Sequence, residues 1–67
     1  MNQYRVEVDR ASGVVISCVQ AYDVGDDGLM VSRDGTRLIF RYHTETAAEA
    51  RALAAYDVYS LRKKGEL

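Results

Sequence analysis

Polar and apolar residues alternate from Gln3 to Asp9, with Tyr4, Val6 and Val8 on one side and Arg5, Glu7 and Asp9 on the other. A period of two predicts a half-buried strand, since successive side chains point to opposite faces. Arg10–Gly13 reads as a turn. Val14 to Tyr22, VVISCVQAY, is apolar on both faces and rich in β-branched residues, the pattern of a central strand. The buried face is open between Val14, Ile16 and Cys18 on one side and Val15, Val19 and Ala21 on the other. A loop follows through Asp23-Val-Gly-Asp-Asp-Gly28, then a short third strand from Leu29 to Ser32. The Asp34-Gly35 dipeptide predicts a hairpin. The fourth strand, Thr36 to Tyr42, places Leu38, Phe40 and Tyr42 on one face and Arg37, Ile39 and Arg41 on the other.

The period then changes. Thr44 to about Lys64, TETAAEARALAAYDVYSLRKK, is alanine-rich and free of Gly and Pro, which predicts one long helix. Thr44 or Thr46 can cap its first turn, and Gly65 can end it. Glu45 and Glu49 suit the positive end of the helix dipole, and Arg62, Lys63 and Lys64 the negative end. At 100° per residue, Ala47, Ala50, Ala54, Val58 and Leu61 form the stripe that faces the core, with Leu53 at its edge. Asp57 falls between Leu53 and Leu61. A second arc carries Ala48, Ala52, Ala55 and Tyr59, with Tyr56 beside it.

These elements predict an α+β fold, β-β-β-β-α. The simplest form is an antiparallel meander of three to four strands with the C-terminal helix lying on one sheet face, a small two-layer domain. The core takes Tyr4, Val6, Val8, Leu38, Phe40, Val58, Leu61 and one face of the second strand. At 67 residues the chain is a single domain, 1–67, near the size at which one core supplies only about 3–5 kcal/mol of net stability.

Composition narrows the function. With 48% hydrophobic and 28% charged residues the chain is globular, and a net charge of −1 with pI near 5.7 gives no overall field for a phosphate backbone. Cys18 is the lone cysteine, so no intrachain disulfide is expected. With no apolar signal core at the start and no span-length apolar segment, a cytoplasmic setting is the expectation, with no membrane partner. No cofactor or metal is expected either. One Cys and His43 cannot make a usual zinc site, and DVGDDG lacks the spacing and terminal Glu of a calcium loop. The glycines form no phosphate-binding loop. Neither Cys18 with His43 nor Ser17 or Ser32 with His43 and an Asp carries a local catalytic signature, so the expectation is a protein that is not an enzyme.

Three functional readings remain. The first is a small protein that binds another protein, in the manner of phage or mobile-element inhibitors such as anti-CRISPR proteins. Its interface would use an acidic tip, Asp23, Asp26, Asp27, Glu45 and Glu49, against a basic nucleic-acid-binding complex, or the tyrosines Tyr56 and Tyr59. Solvated loop acids and a decorated helix face account for the same residues without an interface. The second reading rests on Thr36–Tyr42, TRLIFRY, whose arginines alternate with apolar and aromatic residues, and on TAAEARALAAYD, Thr46 to Asp57. This order of strands and alanine-rich helix loosely resembles the AP2 DNA-binding domain and the arm-binding domain of tyrosine integrases, over the last half of the chain. The resemblance implies a sheet face that contacts DNA through Arg5, Arg37 and Arg41. Glu7 and Asp9 on that face, and the acidic pI, weigh against phosphate binding; as an edge strand, TRLIFRY would instead pair its arginines with Glu7 or Asp9. The third reading is a structural homodimeric accessory subunit.

Overall fold

A computed structural model describes residues 2–22 and 25–67. Four strands, β1 (Asn2–Asp9), β2 (Val15–Ala21), β3 (Gly28–Val31) and β4 (Arg37–Thr44), form one antiparallel sheet, and a single helix, α1 (Ala47–Lys63), packs on one face. The molecule is a small α+β domain. The helix is not long and apolar enough to cross a membrane.

The order of the strands is β2-β1-β4-β3, not that of a simple meander. Two hairpins, β1–β2 and β3–β4, are joined through β1 and β4, which pair over their full lengths from Asn2 opposite Thr44 to Asp9 opposite Arg37. This register places Val6 beside Phe40, Val8 beside Leu38 and Tyr4 beside Tyr42, so the two strongest alternating patterns share one buried face. In a meander, with β2 paired to β3, β1 and β4 would both have been edge strands. The expectation that β2 is central is therefore corrected: it pairs only with β1 and lies at one edge, while β3 lies at the other.

The two candidate faces of β2 are also resolved in an unexpected way. The register with β1 slips between Glu7 and Val8, where Ser17 faces Glu7 and Val15 faces Val8, leaving Ile16 as the extra residue of a β-bulge. The bulge reverses the phase of the strand. Val15 and Cys18, one from each alternating set, both pack against the core.

The turns carry their own side-chain locks. In the first, Asp9 Oδ2 accepts from the Ser12 backbone N–H at 3.0 Å and from its hydroxyl at 2.7 Å. Those two bonds, the hydroxyl's foremost, hold the Asp9 carboxyl below its ordinary range. In the second, Asp34 Oδ1 accepts from the Ser32 hydroxyl, the Thr36 N–H and the Thr36 hydroxyl, which together hold its carboxyl at about 2. Gly35 takes φ +76, a left-handed backbone that an L side chain resists.

The helix ends match their sequence signals. Of the two candidate caps it is Thr46 that serves: its hydroxyl oxygen accepts from the Glu49 N–H at 3.2 Å, and the same hydroxyl donates to Glu49 Oε1 at 3.2 Å. At the other end Gly65 N–H donates to the Arg62 carbonyl and Glu66 N–H to the Leu61 carbonyl, with Gly65 at φ +75, a Schellman arrangement. Ala50, Ala54 and Val58 are fully buried, and with Val6, Val8, Leu38 and Phe40 they complete the core. Tyr4 and Leu61 sit half-buried at its margin.

Candidate interaction surfaces

Three surfaces carry the residues that the sequence singles out. On the helix, Tyr56 and Tyr59 project to solvent, 67% and 63% exposed. They lie one turn apart on the side away from Ala50, Ala54 and Val58, flanked by the exposed Ala48, Ala52 and Ala55. Small neighbours leave both rings standing clear of the helix. The buried stripe beneath fixes that helix to the sheet, so the rings are presented from a rigid support.

The acidic residues gather where β4 runs into the helix, but they are not equivalent. Asp27 Oδ1 lies 2.7 Å from His43 Nδ1 and its Oδ2 accepts from the His43 backbone N–H at 3.2 Å, tying the loop to the end of β4. Gln3 Nε2 donates to the Gly25 carbonyl at 2.9 Å and fastens the same loop to β1. Glu49 is engaged in the helix cap. Asp26 and Glu45 are exposed. Asp23 lies outside the described residues.

The sheet face away from the helix holds Arg5, Arg37 and Arg41. Arg37 Nη1 lies 3.1 Å from Glu7 Oε2, the cross-sheet pairing that adjacency of β1 and β4 makes possible. Arg5 is exposed and stands opposite Arg41 and Val19. Arg41 is half-buried, and its guanidinium packs so closely on Gly25 that a Cβ there would fall 2.5 Å from Nη1. A larger residue at Gly25 would require the Arg41 guanidinium to shift. Arg41 therefore takes part in holding the β2–β3 loop to the sheet.

One surface is not evident from local pattern. The helix packs on β1, β2 and β4 and leaves β3 uncovered, so Leu29 and Val31 remain exposed although their register with Phe40 and Leu38 puts them on the helix side. Between β3 and the C-terminal half of the helix runs a groove of about 400 Å³, with Leu29, Phe40 and Leu61 among its apolar lining and Asp57 and Lys64 from the helix. In its wall the Tyr42 hydroxyl donates to Asp57 Oδ2 at 2.5 Å. A neutral donor on a carboxylate makes a short, charge-assisted bond. The one trace of this in the sequence is Asp57 itself, a carboxylate at the edge of an apolar helix stripe that requires a donor from the sheet.

Burial raises the Tyr42 phenol above its ordinary range, and the hydrogen bond to Asp57, the charge of Asp57 and that of Asp27 push the same way. The neutral phenol is thus favoured in the folded state, so its contribution to stability is present below about pH 10 and is lost as pH rises beyond the unfolded value. Wild-type protein is expected to lose stability above that pH more steeply than Tyr42→Phe, followed by circular dichroism across an alkaline series. Parallel curves for the two proteins would refute the linkage.

Among the described residues no group of three or more His, Cys, Asp or Glu side chains is placed to share a metal ion. Comparison with protein-family models, with curated proteins and with solved structures yields no match to this chain.

Proposed function

We propose that the protein works by binding another protein, without catalysis, through the outer helix face built around Tyr56 and Tyr59. The observation that carries this reading is the exposure of two tyrosines one turn apart on a helix whose opposite face is fully buried. Tyrosine supplies large contact area and a polar tip at low entropic cost, and such residues dominate interface energies when a partner covers them. Leu53, also exposed, extends the apolar area on the side toward β3.

The partner's chemistry follows from the charges near the start of the helix. Asp26 and Glu45 are exposed there, whereas Asp27 and Glu49 are occupied by His43 and the cap. A basic protein surface, of the kind built to hold nucleic acid, would be steered by these acids and gripped by the tyrosines. In this form the protein is a small inhibitor that competes for such a surface, as anti-CRISPR proteins do.

Capture from an extract of the source cells, with partners quantified by mass spectrometry, tests the reading. Tyr56→Ala and Tyr59→Ala are expected each to cost about 2 kcal/mol of binding, a loss of roughly thirtyfold, with the circular dichroism spectrum retained. Asp26→Lys with Glu45→Lys should chiefly slow association. Capture that is indifferent to both tyrosines would refute this face as the interface.

A further inference from the structure

Apart from the bulge at Ile16, the edge of the sheet at β2 lacks the devices that keep an edge solitary. From Val14 to Tyr22 there is no charged residue and no proline, and among the described residues no strand lies beyond it. Every second residue along its outer margin presents an N–H and a C=O with no ladder partner. Four large apolar or aromatic side chains stand along it in the open: Val14 at 60% exposure, Ile16 at 45%, Val19 at 44% and Tyr22 at 86%. The opposite edge differs. β3 has four residues and is bracketed by Asp26 and Asp27 before it and Arg33 and Asp34 after it. Short length and flanking charge blunt that edge.

We propose that β2 pairs with β2 of a second copy of this chain, antiparallel about a twofold axis perpendicular to the sheet, to give a continuous eight-stranded sheet. The occupant is a second copy because the strand is complementary to itself. With Val19 on the axis, Val19 faces its own copy, Cys18 faces Gln20, Ser17 faces Ala21 and Ile16 faces Tyr22. Small residues meet small or uncharged ones, large apolar residues meet each other, and no like charges are opposed. This register works whichever way Val19 directs its backbone groups, because the axis relates a residue to itself in both kinds of antiparallel pair.

The rest of the fold permits the union. Such an axis keeps both helices on the same side of the joined sheet. The two β1 strands are then separated by three strand spacings, about 14 Å, which leaves room for helices whose axes pack at 8–10 Å or more. The tyrosine face lies on the far side of the helix from the sheet, so dimerisation leaves it to other partners. The two readings therefore fail independently.

The test is sedimentation velocity on the full chain from low micromolar to near-millimolar concentration, together with amide hydrogen exchange. Dimer mass is expected at the upper end, with protection of the β2 amides rising with concentration. Val19→Lys opposes two ammonium groups across the axis and is expected to raise the dimer dissociation constant about tenfold or more. Met30→Lys puts the same charge on the exposed part of β3 and should leave the dimer intact. A monomer at every concentration overturns the proposal, as does a dimer that survives Val19→Lys and is lost in Met30→Lys. If Val19→Lys does not fold, the exchange measurement on the wild type decides: concentration-dependent protection of β2 supports the pairing, and protection that does not change with concentration overturns it.

Discussion

Phe40→Ala is expected to leave the chain largely unfolded at 25 °C. Phe40 sits at the crossing of three strands, beside Val6 on one side and Leu29 on the other, and is almost wholly buried. Its ring stacks on Tyr42 with centroids 5.8 Å apart. Truncating a buried phenylalanine costs about 3–5 kcal/mol, because the lost transfer energy is joined by a cavity that rigid neighbours do not fill. A domain of this size has about 3–5 kcal/mol to lose. The whole margin is consumed. Near-ultraviolet circular dichroism and thermal melting check this: a cooperative melt within a few degrees of wild type would mean that the core extends well beyond the seven residues that now define it.

The second large effect comes from adding volume. Ala50 and Ala54 have no exposed surface and belong to the core formed with Val6, Val8, Leu38 and Phe40 of the sheet. Ala54→Leu inserts three carbons where only a methyl fits, so either the side chain leaves its rotamer or the helix lifts away from β1 and β4. Overpacking of this kind costs about 1–3 kcal/mol. In a domain of 60–100 residues each kcal/mol moves Tm by roughly 4–8 °C, so a fall of about 10 °C is expected. Ala55→Leu, one position along and exposed, is the control and should change stability by no more than about 0.5 kcal/mol. Equal melting of the two variants would show that the helix seat is loose.

What could be read from the sequence, and what could not, divides along the range of the interactions concerned. The alternation in β1 and β4, the Thr46 cap, the stop at Gly65 and the alanine stripe are local patterns, and each specifies its element by itself. Strand order has no such local signal. The pairing of β1 with β4 shows in the sequence only as complementarity between distant segments, Glu7 for Arg37 and Val6 for Phe40, and that complementarity is equally satisfied by other registers until the turns fix one. The continuous apolar run of β2 suggests burial on both faces, yet its excess apolar residues lie exposed along an edge. The bulge at Ile16 explains why neither alternating set of β2 describes the core, since one inserted residue reverses the phase partway along.

Of the surfaces, the tyrosines were legible because an aromatic pair outside the core stripe of a helix has nowhere to go but solvent. The loop acids and sheet arginines were legible as charges, but not as the ties they make. Asp27 holds His43, Glu49 closes the cap, Arg37 meets Glu7 and Arg41 rests on Gly25. The groove along β3 depends on where the helix sits across the sheet, a property of the packed whole.

The position of β1 has a consequence for how the molecule forms as it is made. β1 leaves the ribosome before the other elements, and its hairpin with β2 can close at once because the turn between them is short. Its other neighbour, β4, is synthesised some thirty residues later, and the helix that covers their common face comes later still. A two-stranded hairpin is only marginally stable in water, so the apolar side of β1, with Val6 and Val8, waits uncovered until β4 and the helix have emerged. Nascent chains halted before Thr44 should therefore remain protease-sensitive throughout, and resistance should appear in one step once the helix has cleared the exit tunnel.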